Sequence, residues 1–147
     1  MRPGRVRVAI SSTARRAVPR ALLRRVAQGA LQSVRAPAGE FSIAFVGEAT
    51  MRRLNRRHLR HDYATDVLSF DLRDGRGPLL GEVVIAPGVA RTQARRFGEP
   101  YRRELARYVI HGILHWAGYD DHAPTQHRRM ESRQEALLRR LVPVRGR

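Results

Sequence analysis

The sequence contains no cysteine and no lysine. The first absence excludes disulfides and thiolate metal ligands and fits a reducing compartment. The second excludes Schiff-base chemistry and a Walker-type phosphate loop, both of which need a lysine. No apolar run approaches the roughly 20 residues that span a bilayer, so no membrane segment is expected. The amino terminus is basic, but no long apolar core follows it. That reads as no secretion signal and makes the cytoplasm the expected compartment. Acid is scarce as well: 13 acidic residues face 29 basic ones, all arginine, for a net charge of +16.

A field of that sign calls for a polyanionic partner, with nucleic acid first. Arginine's planar fork pairs bidentately with phosphate and stacks on bases. The 147 residues, 42% hydrophobic and 29% charged, suit one globular domain spanning 1–147. No repeat, linker or second domain is visible.

Periodicity supplies the elements. Arg5 to Ile10 alternates and predicts an edge strand with Val6, Val8 and Ile10 inward. A helix follows from Pro19 to about Val34, burying Leu22, Leu23, Val26, Ala30 and Leu31. Glu40 to Val46 is the second strand, and Ala49 to Leu59 a short helix whose outer face carries Arg52, Arg53, Arg56 and Arg57. Thr65 to Asp71 is the third strand; Arg73 to Pro78 is a glycine-rich loop. Gly81 to Ala86 is apolar enough to be a central strand. Val89 to Arg96 is a helix closed by Gly98, and Pro124 and Thr125 open a last amphipathic helix.

The segment between the last two helices carries the chemistry. Pro100 suits a helix start and Gly118 a helix stop. Between them Leu105, Val109, Ile113 and Trp116 form an apolar band, widened by Ala106, Ile110, Leu114 and Ala117. Glu104, Tyr108, His111 and His115 form a separate stripe, expected to face a cleft. Positions i and i+4 lie nearly above one another, so His111 and His115 can grip one divalent ion, preferably zinc. His122, just past the glycine stop, can add a third nitrogen and leave a fourth position open, as catalytic zinc sites need.

The zinc-protease motif His-Glu-x-x-His places its general base beside the first histidine. Here that residue is Gly112. The metal-gripping half is present and the proteolytic base is missing, which argues against peptide hydrolysis. A glycine there lets another backbone segment, or a substrate, approach closely. Glu104 lies about two turns upstream, where an early-helix carboxylate or a contact behind the ligands is its expected role. Asp66 and Ser69 have strand-start or sheet hydrogen bonding as their plain role, and His58, His61 and His127 are expected at the surface.

Three blocks together resemble the YbeY family of metal-dependent endoribonucleases. They are Leu54-Asn55 followed by Asp62-Tyr-Ala-Thr-Asp-Val-Leu-Ser-Phe70; Gly81-Glu-Val-Val-Ile; and His111-Gly-Ile-Leu-His115 with Gly118-Tyr-Asp120. The resemblance covers about residues 40–138. It implies an α/β (α+β) fold: a small mixed four-stranded sheet packed with about five helices in a single compact domain. It implies one zinc ion per chain, or another divalent metal, held by three histidines. It also implies single-strand-specific endoribonuclease activity in ribosomal RNA processing, namely 16S rRNA 3′ end maturation and ribosome quality control. RNA, especially ribosomal RNA, and the ribosome would be the partners; oligomeric state is left open. In the family's usual signature the third histidine directly follows Gly-Tyr-Asp. Here Asp121 holds that slot and His122 comes next, so His122 is assigned as third ligand with Asp121 as the alternative. An arginine thought to meet RNA falls by strict count on Leu59, so its neighbour Arg60 is assigned to phosphate positioning.

Three readings follow. The protein is a metal-dependent ribonuclease, an RNA- or ribosome-binding assembly factor with a structural metal, or a metallohydrolase of another substrate.

Overall fold

Strand β1 (Val6–Ser12) follows its alternation: Val8 is buried, Arg7, Ala9 and Ser11 are exposed. A computed structural model describes this chain over residues 5–58, 67–74, 77–120 and 122–144. Helix α1 (Arg20–Ser33) buries the expected stripe of Leu22, Leu23, Val26, Ala30 and Leu31. Next come β2 (Gly39–Phe45), α2 (Glu48–His58), β3 (Val67–Asp71) and β4 (Leu79–Ile85). Helices α3 (Pro87–Phe97), α4 (Tyr101–Trp116) and α5 (Pro124–Leu141) complete the order. Helix α3 starts two residues before the expected Val89 because Pro87 occupies its first turn, where a missing N–H is harmless. Gly98 closes it in the left-handed region at φ 65°.

The sheet order is β1-β2-β4-β3. The first three strands are parallel, and β3 joins the far edge antiparallel to β4. Thus β1 is an edge and β4 is central, as its apolar run implies. Both faces of β4 are buried. Val83 and Ile85 join Phe41, Ile43 and Phe45 under α1, α3, α4 and α5 in the larger core. Val84 and Ala86 join Leu68 and Met51 in a smaller core on the other face, beside α2. This is the mixed α/β fold that the sequence implied, with all four arginines of α2 named above exposed.

Helix α4 is the centre of the larger layer. It packs on α1, α3, α5, β3 and β4, and Leu105, Ala106, Val109, Ile110, Ile113 and Leu114 are all fully buried. At its carboxyl end Trp116 meets Phe41 edge-on at 5.1 Å and donates its indole N–H to the Leu80 carbonyl at 2.9 Å. Among the described residues no helix is long and apolar enough to cross a membrane.

Candidate metal centre and basic surface

The histidine stripe opens gradually along α4. Glu104 and Tyr108 are buried, His111 is half-buried and His115 is exposed. The reason is α5, which covers the amino-terminal part of the stripe. There Arg107 presents its fork to Glu135 at 3.0 and 3.1 Å and also engages Glu104 and Glu99. Burial opposes the Arg107 cation, yet its carboxylate partners outweigh that and raise its pKa. Burial likewise pushes the Glu135 carboxyl up, but hydrogen bonds from Arg107 and Gln134 win and hold it below the usual range. Glu104 is therefore an ion-pair partner behind the histidines.

His111 and His115 project from adjacent turns with ring centroids 5.5 Å apart and planes inclined at 58°. Two imidazoles sharing one tetrahedral ion, with Zn–N near 2.0–2.1 Å, have ring centres roughly 5 Å apart. The observed centroid separation is close to that figure. His111 Nδ1 lies 2.7 Å from the side-chain oxygen of Gln134. Metal-bound histidines commonly make such a contact through the nitrogen that does not coordinate.

Gly112 has a structural explanation. A Cβ there would stand 2.6 Å from Val83 Cγ1 and 2.9 Å from Val67 Cγ1. The close approach at this glycine is made by valine side chains of the sheet, where a backbone segment or a substrate was expected. The Ser69 hydroxyl donates to the Gly112 carbonyl at 2.7 Å and fastens the helix to β3. Position 112 faces β3 and β4, so a glutamate there would point into the core instead of reaching a metal. The protease-type base is excluded by packing as well as by sequence.

After Trp116 the helix stops as anticipated. Gly118 takes φ 109°, its N–H bonds to the His115 carbonyl, and the Tyr119 N–H bonds to the Leu114 carbonyl. These paired bonds form a Schellman turn, which ends α4 just before Asp120. The side chain of His122 is 86% exposed, and its Nε2 lies 3.6 Å from Asp120. The structure brings His111 and His115 together. Among the described residues, no cluster of three ligand-type side chains forms. Asp121, Arg60, His61 and Asp66 lie outside the described residues. His127 is a surface residue, 3.6 Å from Glu131.

The positive charge is not spread evenly. Arg15 and Arg16 line a cleft of about 730 Å³ beyond the carboxyl ends of β1, β2 and β4, with Glu48, Thr50 and Gly88. Arg16 and Arg95 crowd Arg91 closely enough to lower its pKa. Cations held this close together attract a polyanion strongly.

Sequence reasoning did not single out Gln134, Glu135 or Arg107. They belong to α4 and α5, and only the packing of those helices makes them neighbours. No local motif marks them.

Comparison with known proteins decides the lineage. The sequence model of the family described as Endoribonuclease YbeY matches residues 8–142. The chain belongs to the YbeY family. The endoribonuclease YbeY of Chlorobium luteolum is 41% identical over 132 residues, covering 90% of this chain and 96% of that one. The endoribonuclease YbeY of an Anaeromyxobacter species is 48% identical over 103 residues, 69% of this chain and 53% of that one. The solution structure of a Thermotoga maritima protein superposes with a TM-score of 0.63 at 26% identity, over 92% of this chain and 89% of that chain. The described residues of the YbeY blocks fall on the α2 helix, the β3–β4 strand pair and α4 with the turn after it, and α4 carries the histidine pair.

Proposed function

We propose that this protein is a metal-dependent endoribonuclease. One observation carries the reading: in a YbeY-family chain, His111 and His115 sit on one face of α4 at the spacing two imidazoles need to share an ion. His111 and His115 would hold zinc or another divalent metal, with His122 as third ligand and Asp121 as the alternative. When bound, such an ion supplies Lewis acidity and makes water acidic enough to act at neutral pH. The protein's own part is to place and hold. Gly118, in a positive-φ conformation, ends α4 and starts the loop that leads to the proposed third ligand. The buried apolar band of α4 keeps the two rings in register. Arginines, with Arg60 the first assigned, would fix the scissile phosphate and neutralise its charge. Glu104, committed to Arg107, does not act as a base.

The finer reading is cleavage of single-stranded RNA during ribosomal RNA processing, at the 16S rRNA 3′ end, and in ribosome quality control, in the cytoplasm. Its support is the family resemblance and the net charge of +16. The test incubates purified protein with ribosomal RNA, with and without chelator, beside His111→Ala. Cleavage by the wild type that chelator and the variant both abolish is expected. A folded, metal-free variant that still cleaves would refute the catalytic metal. Binding of RNA without cleavage by either protein would favour an assembly factor with a structural metal.

A further inference from the structure

We propose that Gln134 is a positioning residue that sets the tautomer of His111 and so presents its Nε2 lone pair for coordination. The inference rests on the metal reading of the histidine pair. Gln134 stands on α5, half-buried, across from α4. Its amide has one donating and one accepting end, and its neighbour decides which end faces His111. The amide nitrogen of Gln134 donates to Glu135 Oε2 at 3.1 Å. A carboxylate engaged by Arg107 can only accept. The amide oxygen must then face α4, where it lies 2.7 Å from His111 Nδ1. An amide oxygen also only accepts, so Nδ1 carries the proton. In a neutral imidazole the lone pair then belongs to Nε2.

The orientation is passed on from further back. Arg107 fixes Glu135 through two N–H···O bonds, Glu135 fixes the amide, and the amide fixes the ring. Arg107 is itself held by Glu104 and Glu99 on its other side. A ligand with a settled tautomer and ring angle loses less freedom when it coordinates. Loss of such an outer partner typically weakens metal affinity by roughly 10–100-fold.

The test compares wild type with Gln134→Met, which keeps length and helix preference but removes the acceptor, and Gln134→Ala in case the methionine variant does not fold. Gln134→Glu restores an acceptor. Two-bond proton–nitrogen spectra of the metal-free proteins read the imidazole tautomers, and competition against a chromophoric chelator reads zinc affinity. The expected result is His111 as the Nδ1–H form in wild type and Gln134→Glu, and a tautomer mixture in Gln134→Met or Gln134→Ala. Zinc binding by those two variants should weaken by roughly 10–100-fold. If His111 keeps the Nδ1–H form and full zinc affinity without the amide, the proposal is overturned. Should wild type bind no zinc while the tautomer is still released by Gln134→Met, the metal reading fails and the positioning role stands.

Discussion

Gly112 offers the sharpest test of how the fold holds the histidine pair. In Gly112→Ala, the new Cβ would meet Val83 Cγ1 at 2.6 Å and both Val67 Cγ1 and Val83 Cγ2 at 2.9 Å. Ordinary carbon contacts lie near 3.5–4.0 Å. Helix and sheet must therefore part locally by about 1 Å. Neither neighbour can step aside easily: both are β-branched and stiff at χ1, and Val83 is fully buried. Overpacking of this kind costs about 1–3 kcal/mol, and alanine returns roughly 1 kcal/mol of helix propensity. The net loss should be about 0–2 kcal/mol, a fall in Tm of up to about 6 °C for a chain of this size. Because residue 112 lies between the two histidines, the same displacement should weaken zinc binding by roughly tenfold, the scale of a disturbed outer shell. Val83→Ala removes two of the three crowding atoms. The double variant should therefore be more stable than the sum of the single losses by about 0.5–1 kcal/mol. Thermal and urea unfolding give the stabilities, and chelator competition gives the affinity. A raised Tm with full zinc affinity in Gly112→Ala would refute the close-approach explanation.

Other expectations are as direct. His111→Ala and His115→Ala should each abolish tight zinc binding, and Asp121→Ala compared with His122→Ala should identify the third ligand, since only one of the two should lose affinity in the chelator assay. Trp116→Phe loses the 2.9 Å bond to the Leu80 carbonyl, which still accepts from the Leu72 N–H; urea unfolding should show a loss of about 1–3 kcal/mol from the bond and the smaller ring. Side-chain and backbone hydrogen bonds from Arg73 hold the Asp71 carboxyl down to about 2. A depressed carboxylate contributes stability that is complete above its unfolded value near 4 and lost as pH falls toward the folded value. Asp71→Asn should flatten the unfolding curve only in that acidic window, and weakly, because both partners are largely exposed; a carboxyl titration midpoint near 4 in the folded protein would contradict it.

Much of the fold was legible because the signals are local. Alternation marks β1 and β2, proline and glycine mark the ends of α3 and α4, and the apolar run of Val83, Val84 and Ile85 marks the central strand. The histidine pair was legible for the same reason: spacing along one helix fixes which side chains share a face. The stripe was read as uniformly facing a cleft, and the structure instead grades it from buried Glu104 to exposed His115. That gradient depends on where α5 crosses, which no periodicity within α4 encodes. The third ligand was ambiguous in the sequence because a loop carries no period.

By itself, then, the chain's order of residues determined the strands and helices, the sign of the surface field and the i, i+4 placement of His111 and His115. Each follows from interactions between near neighbours or from a simple sum of charges. Tertiary packing alone decided that Gly112 must lack a side chain, that Arg107 meets Glu135, and that Gln134 faces His111. Those facts rest on contacts between residues at least 23 positions apart, which exist only after the helices have closed over the sheet.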